Sequence, residues 1–321
     1  MSETQSILVT GGAGFIGSYL VERLLAEGHT VTVIDDFSTG SLENLRTVGE
    51  HPRLRIIPSR VSDCPELAGV VAGVAAVYHL AAAVGVDLVV KSPIRTITTN
   101  LSETEVLLEA AGPHAVPVLI TSTSEVYGKS QKETFSEADD LLIGPPHLAR
   151  WSYACSKLMD EFLAMAYARE RGLPVIIARL FNTVGPRQTG QYGMVLPRFI
   201  TAAKAGRPLR VYGDGRQTRC FSHVDDTVEA LIRLQRTPGA RGEVFNVGND
   251  EEITIQGLAE LVIDTLGSRS AIEHVPYGQA YAPGFEDMLR RRPSIEKCLR
   301  FTGFRPHRSL REIISLTAGP A

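Results

Sequence analysis

A glycine-rich turn near the start of the chain constrains the fold more than any other feature of the sequence. It follows an apolar strand pattern at Ser6–Thr10 and opens a helix pattern at Phe15–Ala26. Glycines at such a position permit a tight turn and let the backbone approach a pyrophosphate, whose charge the helix N-terminus then binds. The residues of this predicted dinucleotide cradle are Gly11, Gly14, Phe15, Ile16 and Gly17.

Asp35, at the end of the second strand pattern, indicates which dinucleotide is bound. The apolar run Thr30–Ile34 leads directly into this carboxylate. In a unit of this kind, a carboxylate at that position accepts hydrogen bonds from the ribose hydroxyls of adenosine. A 2′-phosphate would meet its negative charge, so the sequence favours NAD over NADP.

Strand and helix patterns continue to alternate along the chain, which predicts βαβ units and a parallel sheet. Further strand patterns lie at 54–58, 76–80, 116–122, 175–180 and 244–247, and helix patterns lie at 102–111 and 153–171. We expect an α/β fold in which residues 1–180 form a Rossmann-type, doubly wound parallel sheet, with about 219–248 returning to it. Residues 181–218 and 249–321 are expected to form a smaller mixed α/β domain that binds the substrate.

Composition and charge argue against several kinds of partner. Hydrophobic residues make up 44% of the chain and charged residues 21%, as in a globular protein with a sizeable core. The net charge of −3 and the pI near 6.3 give no reason to expect nucleic acid or an anionic membrane as partner. No apolar run approaches the roughly 20 residues that span a bilayer, and the cysteines lack metal-ligand spacing. We expect a cytoplasmic protein without a bound metal.

Two groups of polar residues in the middle of the chain predict a reacting centre. Thr123 and Glu125 follow one strand pattern, while Tyr153 and Lys157 lie one turn apart on the same face of a helix. A tyrosine with a pKa of about 10 is a poor base at neutral pH. Positive charge from Lys157 and from an oxidised nicotinamide would favour the phenolate, which predicts that Tyr153 acts as a general base.

Together these motifs resemble the extended short-chain dehydrogenases of the NAD-dependent epimerase/dehydratase family. The resemblance covers nearly the whole chain and rests on G-G-A-G-F-I-G at 11–17, H-L-A-A at 79–82, S-T-S-E-V-Y-G at 122–128, Y-A-C-S-K at 153–157 and R-L-F-N-T-V-G-P-R at 179–187. It implies that NAD is the cofactor. It also implies that Thr123, Tyr153 and Lys157 are the catalytic hydroxyl, base and lysine.

The same resemblance implies the remaining contacts of the site. Leu80 and Ala81 fall beside the cofactor, as do Tyr153 and Lys157, and Asn100 matches the asparagine that steadies the active-site helix. The substrate is expected to be a nucleotide diphosphate sugar, because the arginines at the matching positions can bind phosphate groups through two N–H donors each. The predicted substrate contacts are Ser124, Asn182, Val195, Tyr212, Gln217, Arg219 and Arg291.

Glu125 indicates which reaction follows oxidation of the sugar. The sequence Thr123-Ser124-Glu125 is similar to that of UDP-glucuronic acid decarboxylases, whereas the family's 4,6-dehydratases read Thr-Asp-Glu and its 4-epimerases usually have a small or neutral residue in place of the glutamate. The stretches 142–153 and 284–295 are also similar to a decarboxylase that makes a UDP-4-keto-pentose. The resemblance therefore implies C4 oxidation of UDP-glucuronic acid, loss of the C6 carboxylate, and either hydride return to UDP-xylose or release of the keto sugar.

Three alternatives share most of these residues. A 4-epimerase of UDP-glucuronic acid or UDP-glucose would need nearly the same site, and a nucleotide-sugar 4,6-dehydratase is disfavoured because Ser124 stands where an aspartic acid is usual. A non-catalytic NAD-binding sensor on this fold often lacks the tyrosine or the lysine, and both are present. The helices at 102–111 and 153–171 are apolar on more than one face. By resemblance this predicts a homodimer, although both faces would also suit a monomer's core.

Overall fold

The computed structural model of the protein describes residues 3–84, 92–188, 194–276, 278 and 288–319. Its strands are β1 (Ser6–Thr10), β2 (Thr30–Asp35), β3 (Leu54–Pro58), β4 (Ala76–His79), β5 (Val118–Thr123), β6 (Val175–Leu180), β7 (Thr183–Val184), β8 (Leu209–Tyr212), β9 (Thr218–Cys220), β10 (Ser222–His223), β11 (Glu243–Val247), β12 (Glu252–Thr254) and β13 (Ile272–Val275). Its helices are α1 (Phe15–Ala26), α2 (Leu67–Ala72), α3 (Pro93–Ala111), α4 (Trp151–Arg171), α5 (Val195–Lys204), α6 (Val224–Arg236), α7 (Ile255–Leu266), α8 (Glu296–Thr302) and α9 (Leu310–Ala318).

A seven-stranded sheet forms the centre of the molecule. Its order is β3-β2-β1-β4-β5-β6-β11, and every pair of neighbours is parallel. The strands are nearly continuous apolar runs because helices cover both faces of the sheet. The predicted Rossmann-type doubly wound fold is confirmed. The strands begin and end within two residues of their predicted limits.

Two hydrophobic clusters pack against the sheet, one on each face. One joins α1 and α6 to the sheet through residues such as Leu20 and Leu231, and the other joins α3 through Leu107 and Leu108. Burial of these side chains positions the helices, whose N-termini then lie at the carboxyl edge of the strands.

Helix α3 begins at Pro93, nine residues before the start that the sequence predicts. Its first turns contain Thr96, Ile97 and Thr98, whose branched side chains have low intrinsic helix propensity. Pro93 suits the first position of a helix because its missing N–H is not needed there. Burial of Thr96 in the surrounding structure completes the helix despite this composition.

A separate hydrophobic cluster joins α5, α7, α9 and β8 beyond the carboxyl edge of the sheet. Leu196, Leu209, Leu258 and Ile313 are fully buried in it. Helix α8 is not part of this cluster, since its residue Cys298 packs in the same cluster as the central strands. The predicted division into 1–180 with 219–248, and 181–218 with 249–321, stays a prediction. None of the helices described is long and apolar enough to cross a membrane.

Candidate active site

A cleft of about 620 Å³ opens at the carboxyl edge of the central sheet. Its walls include the ends of β1, β2, β4 and β5, the start of α4, and residues of α5 and β8. Ligands of open α/β sheets bind at this edge, where the strand order reverses. Every site residue that the sequence predicts lines this cleft, with the exception of Asn100.

The glycine cradle has a geometry that larger residues cannot adopt. Gly11 has a φ of +70°, in the left-handed region that favours glycine. A Cβ atom at Gly17 would lie 2.1 Å from the carbonyl oxygen of Gly11, and one at Gly11 would lie 2.7 Å from the nitrogen of Ala81. The close approach of these backbones leaves the N-terminus of α1 facing the cleft, as a pyrophosphate requires.

Asp35 is held rigidly at the opposite end of the cradle. Its Oδ2 accepts a hydrogen bond from the backbone nitrogen of Ala13 at 2.9 Å, and its Oδ1 accepts one from that of Phe37 at 2.8 Å. Burial raises the pKa of Asp35, while the two backbone hydrogen bonds oppose the shift. The carboxylate keeps lone pairs for further hydroxyl donors. The cradle and this carboxylate therefore fit the pyrophosphate and adenosine ribose of NAD.

Tyr153 lies between Thr123 and the buried charges of α4. Burial raises the pKa of Tyr153 strongly, the negative charges of Glu125 and Asp160 add to this, and a hydrogen bond with Thr123 opposes it. We expected the positive charge of Lys157 to favour the phenolate of Tyr153. That charge is offset in the structure, because Lys157 Nζ donates a hydrogen bond to Asp160 Oδ2 at 2.7 Å. Asp160 was not among the predicted site residues, since a carboxylate on a helix is usually solvated.

Asn100 lies behind the cleft, where it joins two elements that form its wall. Its Oδ1 accepts a hydrogen bond from the backbone nitrogen of Ala83 at 2.7 Å, and its Nδ2 donates to Ser156 Oγ at 3.0 Å. Ser156 belongs to α4, between Tyr153 and Lys157. Asn100 thus links α4 to the loop after β4 and does not itself line the cleft.

Two arginines face Glu125 at the substrate end of the cleft. Arg291 Nη1 lies 3.4 Å from Glu125 Oε1, and Arg150 Nη1 lies 3.7 Å from Glu125 Oε2. Arg291 also donates to Asn182 Oδ1 at 2.9 Å. Arg150 is buried and stacks over the ring of Trp151 at 5.3 Å. Arg150 was not among the site residues predicted from the sequence. It directly precedes α4, and so lies at the end of that helix that faces the cleft.

Arg291 is fixed to the wall of the cleft by its own backbone neighbours. Phe135 N donates to the carbonyl oxygen of Arg292 at 2.8 Å, and Ser294 N donates to the carbonyl oxygen of Phe135 at 2.8 Å. Phe135 is fully buried beside Tyr127, on the loop that follows β5. Of the stretch 284–295 that resembles decarboxylases, residues 284–287 lie outside the described residues.

The far end of the cleft carries the residues predicted to bind the nucleotide. Arg198 of α5 stacks over the ring of Tyr212 at 4.6 Å, and Gln217 Nε2 donates to the carbonyl oxygen of Tyr212 at 2.9 Å. Val195 begins α5, and Arg219 is buried with its Nη1 bonded to the carbonyl oxygen of Thr218 at 2.7 Å. An aromatic ring and two guanidinium groups, one of them buried, suit a base and a diphosphate.

Residues 7–248 match the model of the NAD dependent epimerase/dehydratase family. The chain belongs to this family of enzymes, and NAD is its cofactor. UDP-N-acetyl-alpha-D-glucosaminuronate decarboxylase from Bacillus cytotoxicus is 43% identical over 302 residues, which cover 94% of this chain and 92% of that protein. UDP-glucuronic acid decarboxylase 2 from Arabidopsis thaliana is 37% identical over 310 residues, 97% of this chain and 66% of that protein.

A solved structure with a bound substrate is also similar. UDP-glucuronic acid 4-epimerase from Bacillus cereus, in complex with UDP-glucuronic acid and NAD, matches with a TM-score of 0.86 and 30% identity over 98% of each chain.

Proposed function

We propose that this enzyme decarboxylates a UDP-linked hexuronic acid, with UDP-glucuronic acid as its first candidate substrate. The observation that carries the proposal is the position of Glu125 between Arg150 and Arg291, at the end of the cleft that holds Tyr153. Guanidinium groups bind carboxylates through paired N–H donors. Two of them at this end of the cleft would bind the carboxylate of the sugar beside Glu125. The decarboxylases among its relatives support the same reaction.

The reaction follows from the groups around the sugar. NAD, held by the glycine cradle and Asp35, would supply the hydride acceptor for C4 and later the hydride donor. Tyr153 takes the proton of the 4-hydroxyl, while Thr123 donates a hydrogen bond to the same oxygen and Lys157 lies one helical turn from the base. The product is a ketone at C4, in the β position relative to the C6 carboxylate.

Decarboxylation then needs no further oxidant. The bond between C5 and C6 breaks, its electron pair becomes the enolate of the C4 ketone, and carbon dioxide leaves. Glu125, with Ser124 and Arg291, orients the C6 carboxylate of the sugar and controls the protonation of C5. Return of the hydride to C4, with the proton from Tyr153, gives UDP-xylose. Early release gives UDP-4-keto-pentose and leaves NADH.

A hexuronic acid with an acetamido group at C2 is the second candidate substrate. The relative from Bacillus cytotoxicus, at 43% identity, is named for a UDP-N-acetylglucosaminuronate. The chemistry at C4, C5 and C6 is the same for both sugars. The two sugars therefore differ only in how well the enzyme binds the substituent at C2. Direct competition between the two sugars measures this preference.

We also propose that the chain acts as a cytoplasmic homodimer. Helices α3 and α4 pack together, and their outer surface exposes Ile94, Met159 and Phe162, the last with 63% of its surface accessible. Apolar side chains in such a group are usually covered by a partner. A second copy of the same pair of helices would cover them symmetrically.

The test is incubation of the purified protein with UDP-glucuronic acid and NAD, followed by mass spectrometry and proton NMR. We expect a product that has lost carbon dioxide, and the spectrum distinguishes UDP-xylose from the keto sugar. A product of unchanged mass with the spectrum of UDP-galacturonic acid would instead mean a 4-epimerase. UDP-N-acetylglucosaminuronate is tested in parallel, and UDP-glucose serves as the substrate without a carboxylate.

A further inference from the structure

A buried ion pair lies directly beneath the reacting centre. The side chains of Lys157 and Asp160 are 3% and 0% exposed, and Lys157 Nζ lies 2.7 Å from Asp160 Oδ2. Both residues belong to α4, one turn apart, on the face turned toward the sheet. A charge that is fully buried must be compensated locally, because water cannot solvate it. The two side chains therefore form one electrically neutral unit below Tyr153.

The groups that contact this region from β4 and α3 are uncharged. On β4, His79 is bonded to Thr10 at 2.7 Å and to Thr104 of α3 at 3.2 Å. Burial first, and then the charge of Lys157, lowers the pKa of His79 to about 3, so the imidazole is neutral. Burial raises the pKa of Asp160, while the charge and hydrogen bond of Lys157 and a hydrogen bond with Thr104 oppose the shift.

Two glutamates also lie near this region, one on α4 itself and one after β5. Glu161 is the next residue of α4, but a bidentate ion pair with Arg179 and a hydrogen bond from Ser122 at 2.5 Å occupy its carboxylate. Glu125 lies on the other side of Tyr153, between its own two arginines. Asp160 is thus the carboxylate that offsets the charge of Lys157.

We propose that Asp160 is a positioning residue, which holds the ammonium group of Lys157 and offsets the positive charge that acts on Tyr153. This inference rests on the proposed use of Tyr153 as the base. A lysine without this partner would favour the phenolate of a nearby tyrosine at all times. With Asp160 in place, Lys157 presents less net positive charge to Tyr153, and the phenolate is favoured less.

The direct test is a titration of Tyr153 that requires no turnover. The ultraviolet absorbance of phenolate is recorded against pH for the full-length protein with NAD bound, and the signal of the Tyr153→Phe variant is subtracted. In Asp160→Asn we expect Tyr153 to ionise about one pH unit lower than in the unchanged protein, which is about a tenfold larger phenolate fraction below the midpoint. The acid limb of kcat/KM on UDP-glucuronic acid moves by the same amount.

Two variants complete the experiment. Asp160→Glu restores the carboxylate and returns the midpoint toward that of the unchanged protein. Asp264→Asn removes the carboxylate of an exposed ion pair with Arg311, changes the net charge equally, and leaves the midpoint unchanged. Should Asp160→Asn fail to fold, Asp160→Ser is titrated in its place.

The outcomes separate the two proposals. A midpoint that is unchanged or raised in the neutral variant overturns the role of Asp160, even if the rate falls at every pH. A lowered midpoint in a protein that does not decarboxylate UDP-glucuronic acid supports the role of Asp160 and rejects the proposed substrate or reaction.

Discussion

Glu125 Oε1 lies 3.4 Å from Nη1 of Arg291, although the two residues come from distant parts of the chain. Arg150 approaches the other oxygen of the same carboxylate at 3.7 Å. Both distances are longer than those of a well-formed charge-assisted hydrogen bond. Both guanidinium groups therefore lie beside Glu125 without forming a tight bidentate pair with it.

Replacement of Glu125 tests its role in decarboxylation. We expect Glu125→Gln to lower kcat for carbon dioxide release about a hundredfold, because the variant keeps the shape of the side chain and loses its charge and its proton exchange. KM for UDP-glucuronic acid should change little. The control is Glu133→Gln, at a side chain that is 90% exposed. Wild-type turnover in Glu125→Gln would contradict the assignment.

Replacement of the arginines tests the binding of the substrate carboxylate. We expect Arg150→Met to lower kcat/KM for UDP-glucuronic acid by roughly ten- to a hundredfold, since it removes a buried cation from the carboxylate site. Arg291→Met should lower it at least as much. Affinity for UDP itself, measured by calorimetry, should be unchanged in Arg150→Met.

Arg290 provides the matched control for this pair. It neighbours Arg291 but forms a bidentate ion pair with Glu252, with both distances at 2.7 Å. Arg290→Met should therefore leave kcat/KM near that of the unchanged protein. An equal loss in all three variants would mean that the effect comes from general loss of positive charge.

Glycine substitutions test the cofactor cradle. A Cβ atom at Gly17 would lie 2.1 Å from the carbonyl oxygen of Gly11, so Gly17→Ala must distort the turn. We expect at least a hundredfold loss of NAD affinity, which is about 2.7 kcal/mol, measured by calorimetry. Gly69→Ala lies in α2, where a Cβ meets nothing within 4 Å. That control should bind NAD normally and unfold at the same or a higher temperature.

The buried imidazole of His79 makes the free energy of unfolding depend on pH. Burial lowers its pKa to about 3 in the folded protein, whereas an unfolded histidine has a pKa of about 6.5. Between these values the unfolded chain binds the extra proton, so stability falls as the pH falls. The loss should be about 2 kcal/mol between pH 6.5 and roughly pH 5. Urea unfolding of the protein and of His79→Asn measures it, and an equal pH dependence in both would refute the prediction.

A charge on the exposed apolar surface tests the proposed homodimer. Phe162 is 63% exposed in the single chain, so Phe162→Glu should not disturb its fold. We expect the variant to run as a monomer in size-exclusion chromatography with light scattering, while the unchanged protein runs as a dimer. Leu316→Glu, at a residue of α9 that is 44% exposed, is the control. A monomeric unchanged protein would refute the proposal outright.

The sequence predicted the parts of the site that local patterns define. The glycine turn, Asp35 and the spacing of Tyr153 and Lys157 each depend on a few neighbouring residues. Arg150 and Asp160 were missed for a common physical reason. Arg150 has a function only because Glu125 lies across the cleft from it, and Asp160 is buried only because α4 packs against the sheet. Such pairings depend on the tertiary structure, which a local pattern does not contain.

Arg291 lies on a stretch of chain that is held from two sides of the cleft. On one side, the backbone of Phe135 ties residues 292–294 to the loop that follows β5. On the other side, Thr218 N of β9 donates to the carbonyl oxygen of Leu289, and Arg290 pairs with Glu252 of β12. The charge beside the sugar therefore depends on how the central sheet and the β9-β12 pair fit together, so a substitution on either side can alter it from a distance.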